Sequence, residues 1–239
     1  TAEVEKTQTA AIEGVELSMD MLGSLADGPA TSKVLSPLVE RYRAWIERQR
    51  GHLGGLGGKR RETAEELLRL AGIAADRIER GIKALADDPD ALDAFRMSNR
   101  SVSRALKKRL KIESPRWRAF QLAFILLNLP GLANPKDVHR ETVDLLFFPT
   151  GGGKTEAYLG LAAFAMVLRR LRHPEEHGRA GAGVSVMMRY TLRLLTLDQL
   201  GRAAGLVCAL ELERTEQTER YGEWPFEIGL WVGKAATPN

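Results

Sequence analysis

Two rhythms of apolar and polar positions divide the chain. Up to about residue 110 the apolar residues recur at helical spacing. In "SKVLSPLVERYRAWIERQR" (32–50), Leu38, Tyr42, Trp45 and Ile46 fall on one side of a helix. "GHLGGLGG" (51–58) has five glycines in eight residues and predicts a loop or helix break. A second helix is predicted from about Arg61 to Ala86, with Leu67, Leu70, Ile73, Ile78 and Ile82 as its buried side. "DDPD" (87–90) is a start signal, with Asp88 as cap and Pro89 in the first turn of a third helix that runs to about Leu110.

From about Val143 the grammar changes. "VDLLFF" (143–148), "VSVMM" (184–188) and "FEIGLWVG" (226–233) are strand-length apolar runs. The segments 154–172 and 196–219 between them read as helices, and 172–183 as a polar, glycine-rich loop. Strands alternating with helices predict an α/β layer with a parallel sheet. The expected organisation is an all-helical accessory region over 1–112 and an α/β lobe over 113–239.

One junction carries chemistry. "FFPTGGGKTEAYLGL" (147–161) joins a predicted strand to a predicted helix through three glycines and Lys-Thr. Successive backbone N–H groups of such a loop can wrap phosphates only if no side chain blocks the approach. The following helix points its positive end at the same place. The spacing predicts that Thr150, Gly151, Gly152, Gly153, Lys154 and Thr155 bind a nucleotide. Lys154 is expected to reach the β- and γ-phosphates, and the Thr155 hydroxyl to hold Mg²⁺ beside ATP. The bland alternative is a glycine-rich turn followed by a chance Lys-Thr. Phe148 stands where the general P-loop pattern opens with glycine.

Charge adds a second candidate surface. The net charge is +4, but Arg96 to Arg118 contains nine Lys/Arg and one acid, Glu113. On a helix, Arg96, Arg100, Arg104, Lys107 and Lys108 share one face, while Leu92, Phe95, Val102, Leu106 and Leu110 share another. An uncompensated row of this kind suits the phosphates of DNA or RNA. Docking on an acidic surface of the same molecule is the rival reading. Cys208 is the one cysteine, so no internal disulfide framework exists, and it reads as a small apolar helix residue in a reducing compartment. Four scattered histidines suggest no metal site. No apolar run is long enough to span a membrane, and no signal core opens the chain, so the expected location is the cytoplasm.

Pro-Thr-Gly-x-Gly-Lys-Thr without the leading glycine resembles motif I of superfamily 2 helicases and translocases. Upstream, Arg118-Ala119-Phe120-Gln121 looks like the R-x-x-Q adenine motif of that family, whose glutamine amide can pair with adenine through one donor and one acceptor. Downstream, "VMMRYTLRLLTLDQL" (186–200) occupies the place of motif Ia, with Arg189, Thr191, Arg193 and Gln199 as candidate nucleic-acid contacts. The wording of 116–239 is narrower still and resembles the helicase-like subunits of bacterial DISARM anti-phage systems. That resemblance implies a RecA-like lobe carrying motifs Q, I and Ia, ATP hydrolysis coupled to binding of or translocation on duplex or single-stranded DNA, and a second DISARM subunit as partner. The chain has no Asp-Glu dipeptide for a motif II and no second lobe, so it is expected to be part of a larger protein and inactive alone. A scaffold module whose P-loop serves as a nucleotide switch is the alternative.

Overall fold

The computed structural model describes residues 12–147, 152–173, 181, 183–189 and 193–231. Its elements are α1 (Met19–Leu22), α2 (Gly28–Gly51), a 3-10 turn (His52–Gly55), α3 (Gly58–Asp87), α4 (Pro89–Leu110), α5 (Ala119–Ala133), α6 (Lys154–Arg172), α7 (Arg193–Glu216) and α8 (Thr218–Tyr221). Local chemistry explains the boundaries. Asp27 caps α2 by accepting from the Ala30 N–H at 2.8 Å. Asp88 caps α4 by accepting from the N–H groups of Asp90 and Ala91, with Pro89 in the first turn. Lys111 ends α4 in the left-handed region, at φ 53°.

Helices α2 and α3 form a hairpin. The inner part of α3 lies on α5, α5 on α6, α6 on α4, and α4 on α7. The α3–α5 crossing is backbone against backbone: a Cβ on Gly81 would lie 1.9 Å from the Leu126 carbonyl oxygen. One core takes Leu35, Leu85, Phe95, Leu126, Phe164 and Leu210, so it runs unbroken from the first predicted region into the second.

The α/β expectation is overturned. The fold is all-helical among the described residues, with no strand and no parallel sheet, and hence no RecA-like lobe. The one bridge among the described residues is antiparallel, between Ser18 and Arg116. Of the three predicted strands, 143–147, 184–188 and 226–231 run without ladder partners; residues 148, 232 and 233 lie outside the described residues. Val143, Leu145 and Phe147 are 94%, 87% and 91% exposed. A helix closes its hydrogen bonds within itself, whereas a strand needs a neighbour, so strand-like composition alone does not make a sheet. The burial of α3 also differs from expectation. Ile78 and Ile82 are buried, but Leu67, Leu70 and Ile73 are exposed, because the outer part of α3 meets only α2 and the connecting turn.

Candidate functional site

The site begins in α4. Asn99 is buried and donates to the Phe95 carbonyl at 2.8 Å, which fixes its amide. Its Oδ1 then accepts from Trp117 Nε1 at 2.7 Å. This anchors the chain directly before Arg118, the N-cap of α5. The Arg118 N–H donates to Gln121 Oε1 at 2.7 Å.

Both side chains then reach the glycine loop. Arg118 Nη1 donates to the Gly152 carbonyl at 3.0 Å, and Gln121 Nε2 donates to the Gly153 carbonyl at 2.7 Å. In a trans peptide the N–H points opposite to the C=O, and no peptide bond described is cis. With the two carbonyls held toward α5, the N–H groups of Gly153 and Lys154 are directed away from it. Gly153 is the N-cap of α6 at φ 82°, a conformation that favours glycine, and a Cβ there would lie 2.7 Å from Gln121 Nε2. Gln121 itself is only 4% exposed. Lys154 and Thr155 open α6 and are half-buried. Thr150 and Gly151 lie outside the described residues.

Glu156 follows directly. Its carboxylate is 12% exposed and accepts from Arg109 Nη2 of α4 at 2.7 Å. It also meets Arg202 of α7. Burial pushes its pKa up, but the two guanidinium groups outweigh burial and hold the carboxyl below its ordinary range. A mostly apolar cleft of about 410 Å³ opens beside this cluster, lined among others by Leu106, Arg109, Glu156, Arg202 and Cys208.

The basic row is largely paired, and its Arg104 and Lys108 line the same cleft. Arg96 donates to Asp93 at 2.8 Å and to the Ala26 carbonyl. Arg100 donates to Glu213 at 2.7 Å and to the Gly23 carbonyl at 2.9 Å. Arg104 stands 3.9 Å from Glu213 and 3.7 Å from Glu216, and Lys107 donates to Asp20 at 2.8 Å. Lys108 is exposed. Of the motif Ia candidates, Arg189 is exposed on an irregular segment, Thr191 lies outside the described residues, and Arg193 is the first residue of α7. Gln199 lines a separate cleft of about 640 Å³ with Arg170, Val186 and Phe226, and no described residue of the glycine loop lines that cleft. Sequence reading missed Asn99, Trp117, Arg109, Glu156 and Arg202. The available signal was small: an acid in the first turn after Lys-Thr, and two arginines whose partners are far along the chain.

This geometry defines a class of site: a glycine loop at a helix N-terminus, braced from behind by an Arg-x-x-Gln helix. The chain is DrmA-like over nearly its whole length. It is 38% identical to the DISARM protein DrmA of Bacillus paralicheniformis across 93% of this chain, and spans 21% of that relative's length. No protein-family model matches it.

Proposed function

We propose that this chain is the ATP-binding segment of a DrmA-like helicase or translocase acting in phage defence, in which ATP hydrolysis is coupled to engagement of DNA. Gly153 and Lys154 offer N–H groups to the phosphates, the Lys154 ammonium neutralises the transferring phosphoryl group, and Thr155 holds Mg²⁺. Gln121, buried and engaged through both amide atoms, acts on the nucleotide by holding the loop. The observation that carries the reading is the brace: Arg118 and Gln121 hold the Gly152 and Gly153 carbonyls and thereby aim the loop donors away from α5. The polymer engaged is DNA, a second DISARM subunit is the partner, and the place of action is the cytoplasm. No helix among the described residues is long and apolar enough to cross a membrane.

The experiment is ATP turnover by the intact protein with and without DNA, set beside Lys154→Ala. Turnover is expected to be lost in the variant at an unchanged melting temperature. Wild-type turnover in a folded Lys154→Ala protein sinks the reading.

A further inference from the structure

The α2–α3 hairpin ends in a patch that takes no part in the glycine-loop site or in the paired row on α4. From Arg48 to Arg61 the chain carries five Lys/Arg, one His and no acid. Arg48 and Arg50 lie in the last turn of α2, and Lys59, Arg60 and Arg61 in the first turn of α3. All five are exposed or nearly so, standing on the outer end of the hairpin. The last buried residue of α2 is Ile46 and the first of α3 is Leu68. About 15 Å of α3 therefore stands beyond the core.

Cations at the end of α2 complement its dipole, but cations at the start of α3 oppose theirs. The first turn of α3 holds no acid, and its N-cap, Gly57, makes no side-chain bond. Three positive side chains thus sit on the positive end of a helix, an arrangement that an anion would relieve. Arg50 finds Glu47 and Arg61 finds Glu65. Arg48, Lys59 and Arg60 pair with no acid among the described residues, unlike most of the 96–108 row. The glycines are not there for packing: a Cβ on Gly51, Gly54, Gly55, Gly57 or Gly58 would meet nothing within 4 Å. A tip without side chains lets the backbone approach a surface closely.

We infer that this tip is a docking surface for the phosphate backbone of duplex DNA. Charge complementarity selects a polyanion. Two cationic helix ends about 8–10 Å apart match a row of phosphates beside a groove about 6–12 Å wide, rather than a point anion. The inference deepens the reading of the chain as part of a DNA-engaging ATPase and rests on it. It moves the main phosphate contact from the paired row on α4 to the unpaired tip.

The test uses the intact protein carrying Arg48→Gln, Lys59→Gln and Arg60→Gln together. Affinity for a labelled duplex is measured against salt, beside melting temperature and ATP turnover without DNA. Every phosphate left without its cation takes about 0.9 from the slope of log affinity against log salt, so the triple variant should flatten it by up to about 2.7 units. Affinity at low salt should fall about tenfold or more. Melting and DNA-free turnover should stay as in wild type, because the three side chains pair with no acid among the described residues. Lys59→Glu with Arg60→Glu should weaken binding further. Wild-type salt slope and affinity in both variants overturn the inference. So does tip-dependent binding to phosphatidylserine vesicles with unaltered duplex binding. A wild-type protein that turns over ATP but shows no salt-dependent duplex binding overturns the tip and leaves the ATP site standing. Loss of both sinks the parent reading.

Discussion

Glu156, two residues past the loop lysine, accepts a hydrogen bond from Arg109 at the end of α4, at 2.7 Å. Arg202 of α7 meets the same carboxylate. One first-turn side chain therefore ties the helix that begins at the glycine loop to two further helices, α4 and α7. Its negative charge also complements the positive end of α6.

Replacing Glu156 by Gln keeps the shape but leaves Arg109 and Arg202 without their shared countercharge. The expected loss at neutral pH is about 2–3 kcal/mol. The folded-state pKa is held below the ordinary value of about 4.3, so this contribution is present above that pH. It is lost as pH falls through the lower folded value. Urea midpoints of wild type and Glu156→Gln should differ at pH 7 and converge in acid. Parallel midpoints at every pH would show that the charge contributes nothing.

The Gln121 brace makes a second expectation. Gln121→Glu keeps length and the acceptor for the Arg118 N–H, but an ionised carboxylate cannot donate to the Gly153 carbonyl. The loop donors lose their aim, and ATP affinity should fall about tenfold, by roughly 1.4 kcal/mol, with the rise in KM exceeding the fall in kcat. Gln121→Ala should do the same and also cost about 1 kcal/mol of stability, since two partly buried polar groups, the Arg118 N–H and the Gly153 carbonyl, lose a partner. Wild-type nucleotide affinity in Gln121→Glu would make the brace idle.

How far the sequence foretold this arrangement depends on the range of each interaction. The Asp88-Pro89 start and the helix from Lys154 to Arg172 were legible because caps and apolar spacing act within a few residues. The glycine loop and the Arg118–Gln121 pair were legible as a motif, but the bonds to the Gly152 and Gly153 carbonyls were not. Glu156 was not legible, since its partners lie 47 and 46 residues away. The sheet failed for a related reason. Val143, Leu145 and Phe147 have strand composition, yet no neighbour pairs with them among the described residues. What holds that segment is the side chain of Asp144, bound to Arg77 of α3.

That pair gives a third expectation. Arg77 donates to both carboxylate oxygens of Asp144 at 2.6 Å, with both side chains largely buried. Arg77→Ala strands the carboxylate and should cost about 2–4 kcal/mol, read as a fall in melting temperature of about 2–4 °C per kcal/mol. Arg77→Leu with Asp144→Leu should cost less, because no buried charge is left unpaired. A double variant worse than Arg77→Ala would mean that Asp144 serves another group.

The row on α4 is the last case, and its two readings separate cleanly. Glu213 is buried and receives Arg100 at 2.7 Å, with Arg104 more distant at 3.9 Å. Arg96 likewise bridges to Asp93 and to the Ala26 carbonyl. Docked in this way, the row holds α7 and the α1–α2 connection against α4. Replacing Arg96, Arg100 and Arg104 by Gln should lower stability by about 2–4 kcal/mol, most of it from the Glu213 carboxylate left without Arg100. Gln is a good helix former, so α4 itself should persist. Because these guanidinium groups are already engaged, the salt slope of duplex binding should stay within about one unit of wild type. The outcome that would reverse this assignment is a variant that melts like wild type but loses about three units of slope; the row would then be a phosphate contact and its ion pairs incidental.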